Sequence, residues 1–242
     1  MLPRLLVVTA VAAEAAAVLR GASGSPALPH AFVAEPRTLP GGYELTAVGP
    51  LDVVVAGVGP AAAAAATATA LALALAPAPY DLVVSSGIAG GFAPVAPVGC
   101  AVIAEAIVAA DLGAQTPDGF ADVTALGFGR VRHACTGTDT VARTLRGAGI
   151  PAAVGPVLTV STVTGSAERA AELLGRHPGA VAEAMEGFGV AEAAAGHALP
   201  VLELRTVSNP VGPRDRAAWR IGDALGALAA VYEKLPYATL VG

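Results

Sequence analysis

A three-layer α/β/α fold, with helices on both faces of a central mixed, mostly parallel sheet, follows from three features of this 242-residue chain. Short runs rich in Val, Leu and Ile alternate with alanine-rich, helix-forming segments, the order expected of strands joined by helical crossovers. The runs are apolar almost throughout, as in strands buried on both faces. Several end in glycine-containing turns: GVG at 57–59, SSGIAGG at 85–91 and TG at 164–165. No repeat and no linker composition divides the chain, so a single domain over 1–242 is expected.

The first strand is placed at Leu5–Thr9, followed by a helix in AVAAEAAAVL with Glu14 one turn in. MLPRLLVVTAVAA also has the basic residue, apolar run and small residues of a weak signal peptide. A buried strand is preferred, because the same apolar-then-small pattern recurs at 53–59 and 82–91. Residues 21–29 read as a loop, and 31–35 and 43–48 as strands paired across Pro40-Gly41-Gly42. A strand at 51–56 leads through Gly57-Val58-Gly59 into an alanine-rich helix, 61–76, bracketed by Pro60 and Pro77. That helix is shorter than the roughly 20 residues of a membrane span, and no membrane partner is expected. Strands follow at 82–85 and 100–109. The polar segment 111–120 reads as a loop, and Thr138–Gly147 as a helix stopped by Gly149 and Pro151. A strand at 157–161 precedes Ser166, which has the chemistry of an N-cap for a helix over 167–174. Next come a helix opening at Met185-Glu186 and a strand at 201–207. Residues 216–234 read as one closing helix whose apolar face carries Trp219, Leu225, Leu228, Val231 and Leu235.

Composition excludes several classes. The chain is 55% hydrophobic, much of it alanine, and 14% charged, with a net charge of −5. Without a basic patch there is no nucleic-acid footprint. Cys100 and Cys135 lack CxxC spacing and read as reduced thiols. His30, His133, His177 and His197 lack ligand spacing, so no metal is expected. GVGP lacks the third glycine of a dinucleotide fingerprint, and no cofactor is expected.

The chemistry concentrates in EAMEGFGVAEAAAGHALPVLELRTVSN, residues 183–209. Glu186 opens one element, and Arg205, Ser208 and Asn209 lie toward the carboxyl end of the next. In open parallel sheets, ligands sit outside the strand C-termini. Glu186, between Met185 and Gly187-Phe188-Gly189, is a carboxylate in a crowded apolar setting that needs a partner. Asn209 precedes Pro210, which holds its backbone extended, and it also reads as a turn residue. Glu14, taken alone, also reads as a solvated helix residue.

Together, VVTAVAAE near the start, AGVG at 56, SSGIAGGF at 85, TVSTVTG at 159, AMEGFGVA at 184 and RTVSNPVGPRD at 205 resemble the nucleoside phosphorylase/nucleosidase superfamily, and within it the futalosine hydrolases of an alternative menaquinone pathway. The likeness covers nearly the whole chain in order. It implies that Glu14 activates the attacking water, that Glu186 of the Met185-Glu186 pair binds the ribose hydroxyls, that Arg205 and Ser208 support the acid/base position, and that Asn209 faces the purine. Related nucleosidases acting on adenine nucleosides typically carry aspartate there; asparagine is found in members that handle 6-oxopurines. An asparagine amide donates to a ring nitrogen or carbonyl, whereas an ionised aspartate only accepts. Hypoxanthine is therefore the expected leaving group.

Phosphate, as an alternative nucleophile, needs arginine or a run of backbone amides. Ser85-Ser86-Gly87-Ile88 has no arginine, and Ile88 stands where many relatives have serine, which favours water. Arg20, Arg130 and Arg132 cannot be placed from the sequence. Ile88, Ala89, Gly90, Phe92, Thr162 and Val163 are expected around the substrate. Futalosine carries a benzoate-bearing tail, for which Arg214 is the candidate partner; Arg214 reads equally as an exposed residue paired with Asp215. The resemblance also implies a cytoplasmic homo-oligomer, a dimer or larger, with 111–120 near a neighbour's site. Open alternatives are a purine nucleoside phosphorylase, an inosine-type nucleosidase, and a non-catalytic nucleoside-binding protein.

Overall fold

The computed structural model describes residues 2–28, 31–74 and 80–241. His30, Pro77, the end of the loop at 21–29 and the last two residues of the expected 61–76 helix lie outside the described residues. The chain runs β1 (Leu5–Thr9), α1 (Ala12–Ser23), β2 (Arg37–Thr38), β3 (Glu44–Val48), β4 (Leu51–Val55), α2 (Pro60–Leu73), β5 (Leu82–Gly91), β6 (Ala101–Ala109), β7 (Gly113–Thr116), β8 (Gly119–Asp122), β9 (Arg132–Ala134), α3 (Thr138–Gly147), β10 (Ala152–Thr159), α4 (Ala167–Arg176), β11 (Ala182–Ala184), α5 (Gly187–Gly196), β12 (Val201–Pro210) and α6 (Ile221–Lys234).

The main sheet is mixed, in the order β11-β10-β6-β12-β5-β1-β4-β3-β2, with β9 on β6. Its centre is parallel: β1 lies between β4 and β5, and β12 runs along β5. β11 also pairs antiparallel with the end of β5, Ala182 opposite Gly91 and Glu183 opposite Gly90. That pairing curls β5, β12, β6, β10 and β11 into a closed ring. Helices α2 and α5 pack together on one face, and α1 packs with α6 on the other. Apolar side chains of β1 point alternately into the two layers, Leu6 and Val8 to one and Leu5 and Val7 to the other, as strand periodicity requires. The α2–α5 contact is close enough that a side chain at Gly189 would collide with the Pro60 carbonyl.

Several expectations are corrected. The turn at Pro40-Gly41-Gly42 forms, with Gly41 at φ 87° and Gly42 at φ 82°. The strand that pairs across it is β2 at 37–38; from 31–35 only Val33 bridges to Val48. The segment 111–120 holds a hairpin, β7–β8, whose Phe120 ring lies 4.2 Å under the Arg176 guanidinium. β10 starts five residues earlier than expected; a register shift between Gly155 and Pro156 lets a strand accommodate the proline. The closing helix is broken: 216–218 is a 3-10 turn capped by Asp215, and α6 begins at Ile221. Trp219 therefore lies outside the helix. Ser166 caps α4, accepting from the Arg169 amide at 3.2 Å. Cys100 and Cys135 are free thiols. Among the described residues no helix is long and apolar enough to cross a membrane, and no cluster of potential metal ligands occurs.

Candidate active site

A cavity of about 270 Å³ opens where the parallel strands end, the position at which α/β sheets bind ligands. Each neighbouring strand contributes. The turn after β1 delivers Ala10 and Val11, and the first turn of α1 Glu14; the turn after β4, Val58; the end of β5, Ile88, Ala89 and Gly90; β11 and the residues after it, Glu183 to Glu186; β12, Ser208 and Asn209. Val163 and Trp219 complete the wall. Val11, Val58 and Val163 are exposed and give the mouth an apolar rim.

Glu14 stands in the first turn of α1 and is buried. Its Oε2 accepts from the amides of Ala10 (2.9 Å) and Val11 (3.3 Å), and its Oε1 from the amide of Ile88 (2.9 Å). The helix start and the end of β5 thus aim one carboxylate between them. Burial pushes its carboxyl above the usual glutamate range; Arg205 and the Ile88 amide pull the other way. Glu186, just before α5, accepts from the Gly59 amide at 3.2 Å and meets Arg205 Nη1 at 3.3 Å through Oε2. The buried-carboxylate problem posed by its sequence context is solved by that pair.

Arg205 is 1% exposed. Its Nε donates to Glu203 Oε1 at 2.9 Å, its Nη2 to Ser85 Oγ at 3.0 Å and its Nη1 to the Ile88 carbonyl at 3.4 Å. Burial pulls the guanidinium down, but Glu203, Glu186 and Glu14 outweigh it and hold it above its ordinary value. Arg205 therefore sits behind the carboxylates Glu14 and Glu186, away from the cavity lining. Ser208 does hold Asn209: its hydroxyl donates to Asn209 Oδ1 at 2.8 Å. A bulge in β12 between Val207 and Asn209 breaks the alternation, so that Ser208 and the half-buried Asn209 both reach the cavity.

Of the expected residues, Glu14, Met185, Glu186, Ile88, Ala89, Gly90, Val163, Ser208 and Asn209 are brought together at the cavity wall. Phe92 is not among them. It follows Gly91 into a separate cluster with Val108, Leu158 and Leu173 beside α4, its amide bonded to the Val181 carbonyl. Thr162 is exposed and does not line the cavity; its neighbour Val163 does. Arg214 is exposed near the mouth, its guanidinium 5.9 Å from the Trp219 ring centre. Asp215 is occupied in capping 216–218 through the Ala217 amide.

Sequence reading missed Glu183, Glu203 and Trp219. Glu183 lines the cavity and accepts from both the amide (2.8 Å) and the hydroxyl (2.5 Å) of Thr164, pinning the segment that carries Val163. Burial pushes its carboxyl up, against the pull of Thr164. Glu203 had a signal: a lone carboxylate in an apolar strand, two residues before Arg205 and so on the same face. Arg20 is exposed on α1, and Arg130 and Arg132 form surface pairs with Glu192 and Glu105. No Lys or Arg is found among the described residues that line the cavity.

The model of the phosphorylase superfamily matches residues 4–235. The chain is 60% identical to futalosine hydrolase of Streptomyces coelicolor over 236 residues, 96% of this chain and 94% of that protein. It is 45% identical to futalosine hydrolase of Acidothermus cellulolyticus, over 95% of this chain and 89% of that one. Among solved structures, the 5′-methylthioadenosine/S-adenosylhomocysteine nucleosidase of Neisseria meningitidis superposes with a TM-score of 0.74 at 20% identity, covering 97% of this chain and all of that one. At that identity the likeness shows the fold. The chain belongs to the phosphorylase superfamily and, within it, to the futalosine hydrolase family.

Proposed function

We propose that the chain hydrolyses the N-glycosidic bond of futalosine, releasing hypoxanthine and dehypoxanthine futalosine in menaquinone biosynthesis. The observation that carries this reading is the amide of Asn209. Its Oδ1 is taken by Ser208 and its Nδ2 donates to the Pro210 carbonyl at 3.0 Å. An amide nitrogen has two hydrogens, which leaves one for a 6-oxopurine, at a ring nitrogen or at the carbonyl oxygen.

Cleavage builds positive charge on the sugar and negative charge on the departing base. In this reading Glu186, held by Arg205, grips the ribose hydroxyls and stabilises the cationic sugar in the transition state. A water between Glu14 and the anomeric carbon attacks; its proton passes to Glu14 as the new C–O bond forms. The C–N bond breaks, and the base leaves as an anion stabilised by Asn209, to be protonated from solvent. Water is favoured over phosphate because no Arg or Lys lines the cavity among the described residues and the Ile88 amide is already bonded to Glu14 Oε1. Arg214 and Trp219 at the mouth are the candidates for the benzoate-bearing tail. The same reading includes one domain over 1–242 and a cytoplasmic homo-oligomer.

The test is a chromatographic assay with futalosine, inosine and methylthioadenosine, each with and without phosphate. Hypoxanthine released from futalosine independently of phosphate is the expected result. Phosphate-dependent release from inosine makes the protein a phosphorylase, and no release from any of them makes it a binding protein.

A further inference from the structure

Glu203 has no part in the reaction as derived above, yet it is the most deeply placed carboxylate near the site. It is 0% exposed. Its Oε1 receives Arg205 Nε at 2.9 Å and lies 3.5 Å from Ser85 Oγ, while its Oε2 has no hydrogen-bond partner. Any side chain at Gly187, the first residue of α5, would lie 2.6 Å from both oxygens. A carboxylate in such a place is costly unless an opposite charge holds it. An apolar residue would fill that strand position without the cost.

The arrangement around Arg205 gives the carboxylate a use. One guanidinium serves three carboxylates. Glu186 and Glu14 line the cavity; Glu203 does not. Glu203 fixes the Nε edge, Ser85 fixes Nη2, and Nη1 is left pointing at Glu186 and the Ile88 carbonyl. We propose that Glu203 is a positioning residue, which locks Arg205 from the side away from the cavity and balances its charge, so that Arg205 aims Glu186 without stripping Glu14 of its basicity.

Arg205 is the cation that Glu14, Glu186 and Glu203 share. An unbalanced guanidinium close to a carboxylate lowers its pKa by about 1–3 units. A weaker base takes a proton from water less well. At Glu14 burial raises the pKa and Arg205 opposes it; with Glu203 neutralised, Arg205 would act on Glu14 at full strength. The other titratable groups facing this cluster are Glu186, across Arg205, the Cys135 thiol beside Glu203 and the Tyr232 phenol near Arg205. Burial pushes Cys135 up to about 12 and raises Tyr232 as well, so neither changes charge where the enzyme works. Glu183, also at the cavity wall, is engaged by Thr164.

This inference rests on Glu14 as the base. The experiment therefore compares pH–rate profiles of the wild type, Glu203→Gln, Glu203→Asp and Glu14→Gln on futalosine. For Glu203→Gln the acid limb moves about one pH unit lower, kcat falls about tenfold and KM changes less than kcat. Glu203→Asp, which keeps the charge, returns the limb toward the wild-type position. An unmoved limb in Glu203→Gln, with Glu14→Gln inactive, overturns the role of Glu203 alone. Full activity in Glu14→Gln removes the base itself and is a separate failure. Should Glu203→Gln not fold, carbon-13 spectra of the wild type labelled at glutamate carboxyls decide. Glu203 ionised from the acid limb upward supports the proposal, and Glu203 protonated throughout overturns it.

Discussion

The Ser208 hydroxyl lies 2.8 Å from Asn209 Oδ1 and 3.3 Å from the Ala89 carbonyl, a placement that turns the oxygen end of the amide toward Ser208. In the proposed reading the second N–H of that amide is the donor offered to the base, the first going to the Pro210 carbonyl. A carboxylate at 209 would keep the Ser208 bond and lose the donor. Asn209→Asp is therefore expected to lower kcat/KM for the 6-oxopurine nucleoside by about 10²–10³-fold, as when a site loses its one matched polar partner, and to narrow its preference over a 6-amino analogue. An unchanged preference would show that Asn209 does not read the base.

Ser208→Ala tests the same relationship from behind. It removes one hydroxyl from the cavity wall, keeps Glu14, Glu186 and Asn209, and frees the amide to rotate. The loss of one hydrogen bond is worth about 1 kcal/mol, so kcat/KM should fall roughly fivefold, with little change in melting temperature. A variant at wild-type activity would mean that the Asn209–Pro210 contact alone holds the amide.

The layers of the fold were legible because β1, β4, β6 and the start of β5 are near-continuous apolar runs and α1, α2 and α5 are alanine-rich. β7 and β8 were hidden for the opposite reason: AQTPDGFAD is polar, and a short exposed hairpin has no hydrophobic alternation to read. β11 is only three residues long, and its pairing with both β10 and β5 is a tertiary fact that no local pattern carries. In the site, Glu186 stood out by its crowded apolar surroundings, whereas Glu14 read alone as a solvated helix residue and drew its role from the family resemblance. Phe92 was misplaced because a strand-end aromatic reads the same whether it turns to the cavity or to the cluster beside α4. Trp219 was misplaced because heptad-like spacing continued across a turn that Asp215 caps.

Glu14→Gln replaces a carboxylate bonded by three backbone amides with a group that accepts through one oxygen. As the proposed base, its loss should lower kcat by about 10²–10⁴-fold while substrate binding, followed by equilibrium dialysis, stays close to wild type. Since burial raises this carboxyl, and the base acts only when deprotonated, the wild-type rate should climb with pH through a limb lying above the ordinary glutamate value of 4.5. A limb at or below that value would contradict the buried environment seen for Glu14.

Gly87 lies opposite Arg205 in the β5–β12 register, and it does not hold a positive φ, so its role is space rather than backbone freedom. A Cβ there would run into the Glu14 carboxylate and come within 2.8 Å of Arg205 Nη1. Gly87→Ala should therefore push apart the two groups the site brings together. Overpacking of this kind costs about 1–3 kcal/mol, measurable by urea denaturation, and activity should fall further than stability. An active, equally stable Gly87→Ala protein would show that the contact relaxes freely.

Variants at Arg214 and Trp219 test whether the tail is recognised separately from the base. The Arg214 guanidinium is exposed and lies near the limit of a cation–π contact with Trp219, so it is free to turn toward a carboxylate at the mouth. Trp219 is half-buried and forms part of the wall. Arg214→Ala should raise KM for futalosine about tenfold, the worth of a charge-assisted hydrogen bond, and leave inosine, which lacks the tail, unaffected. Trp219→Ala should weaken both substrates, because it opens the wall that both share. Equal losses on the two substrates in Arg214→Ala would assign the residue to the structure of the 211–220 loop, and the tail would then have to be read by the apolar rim of Val11, Val58 and Val163.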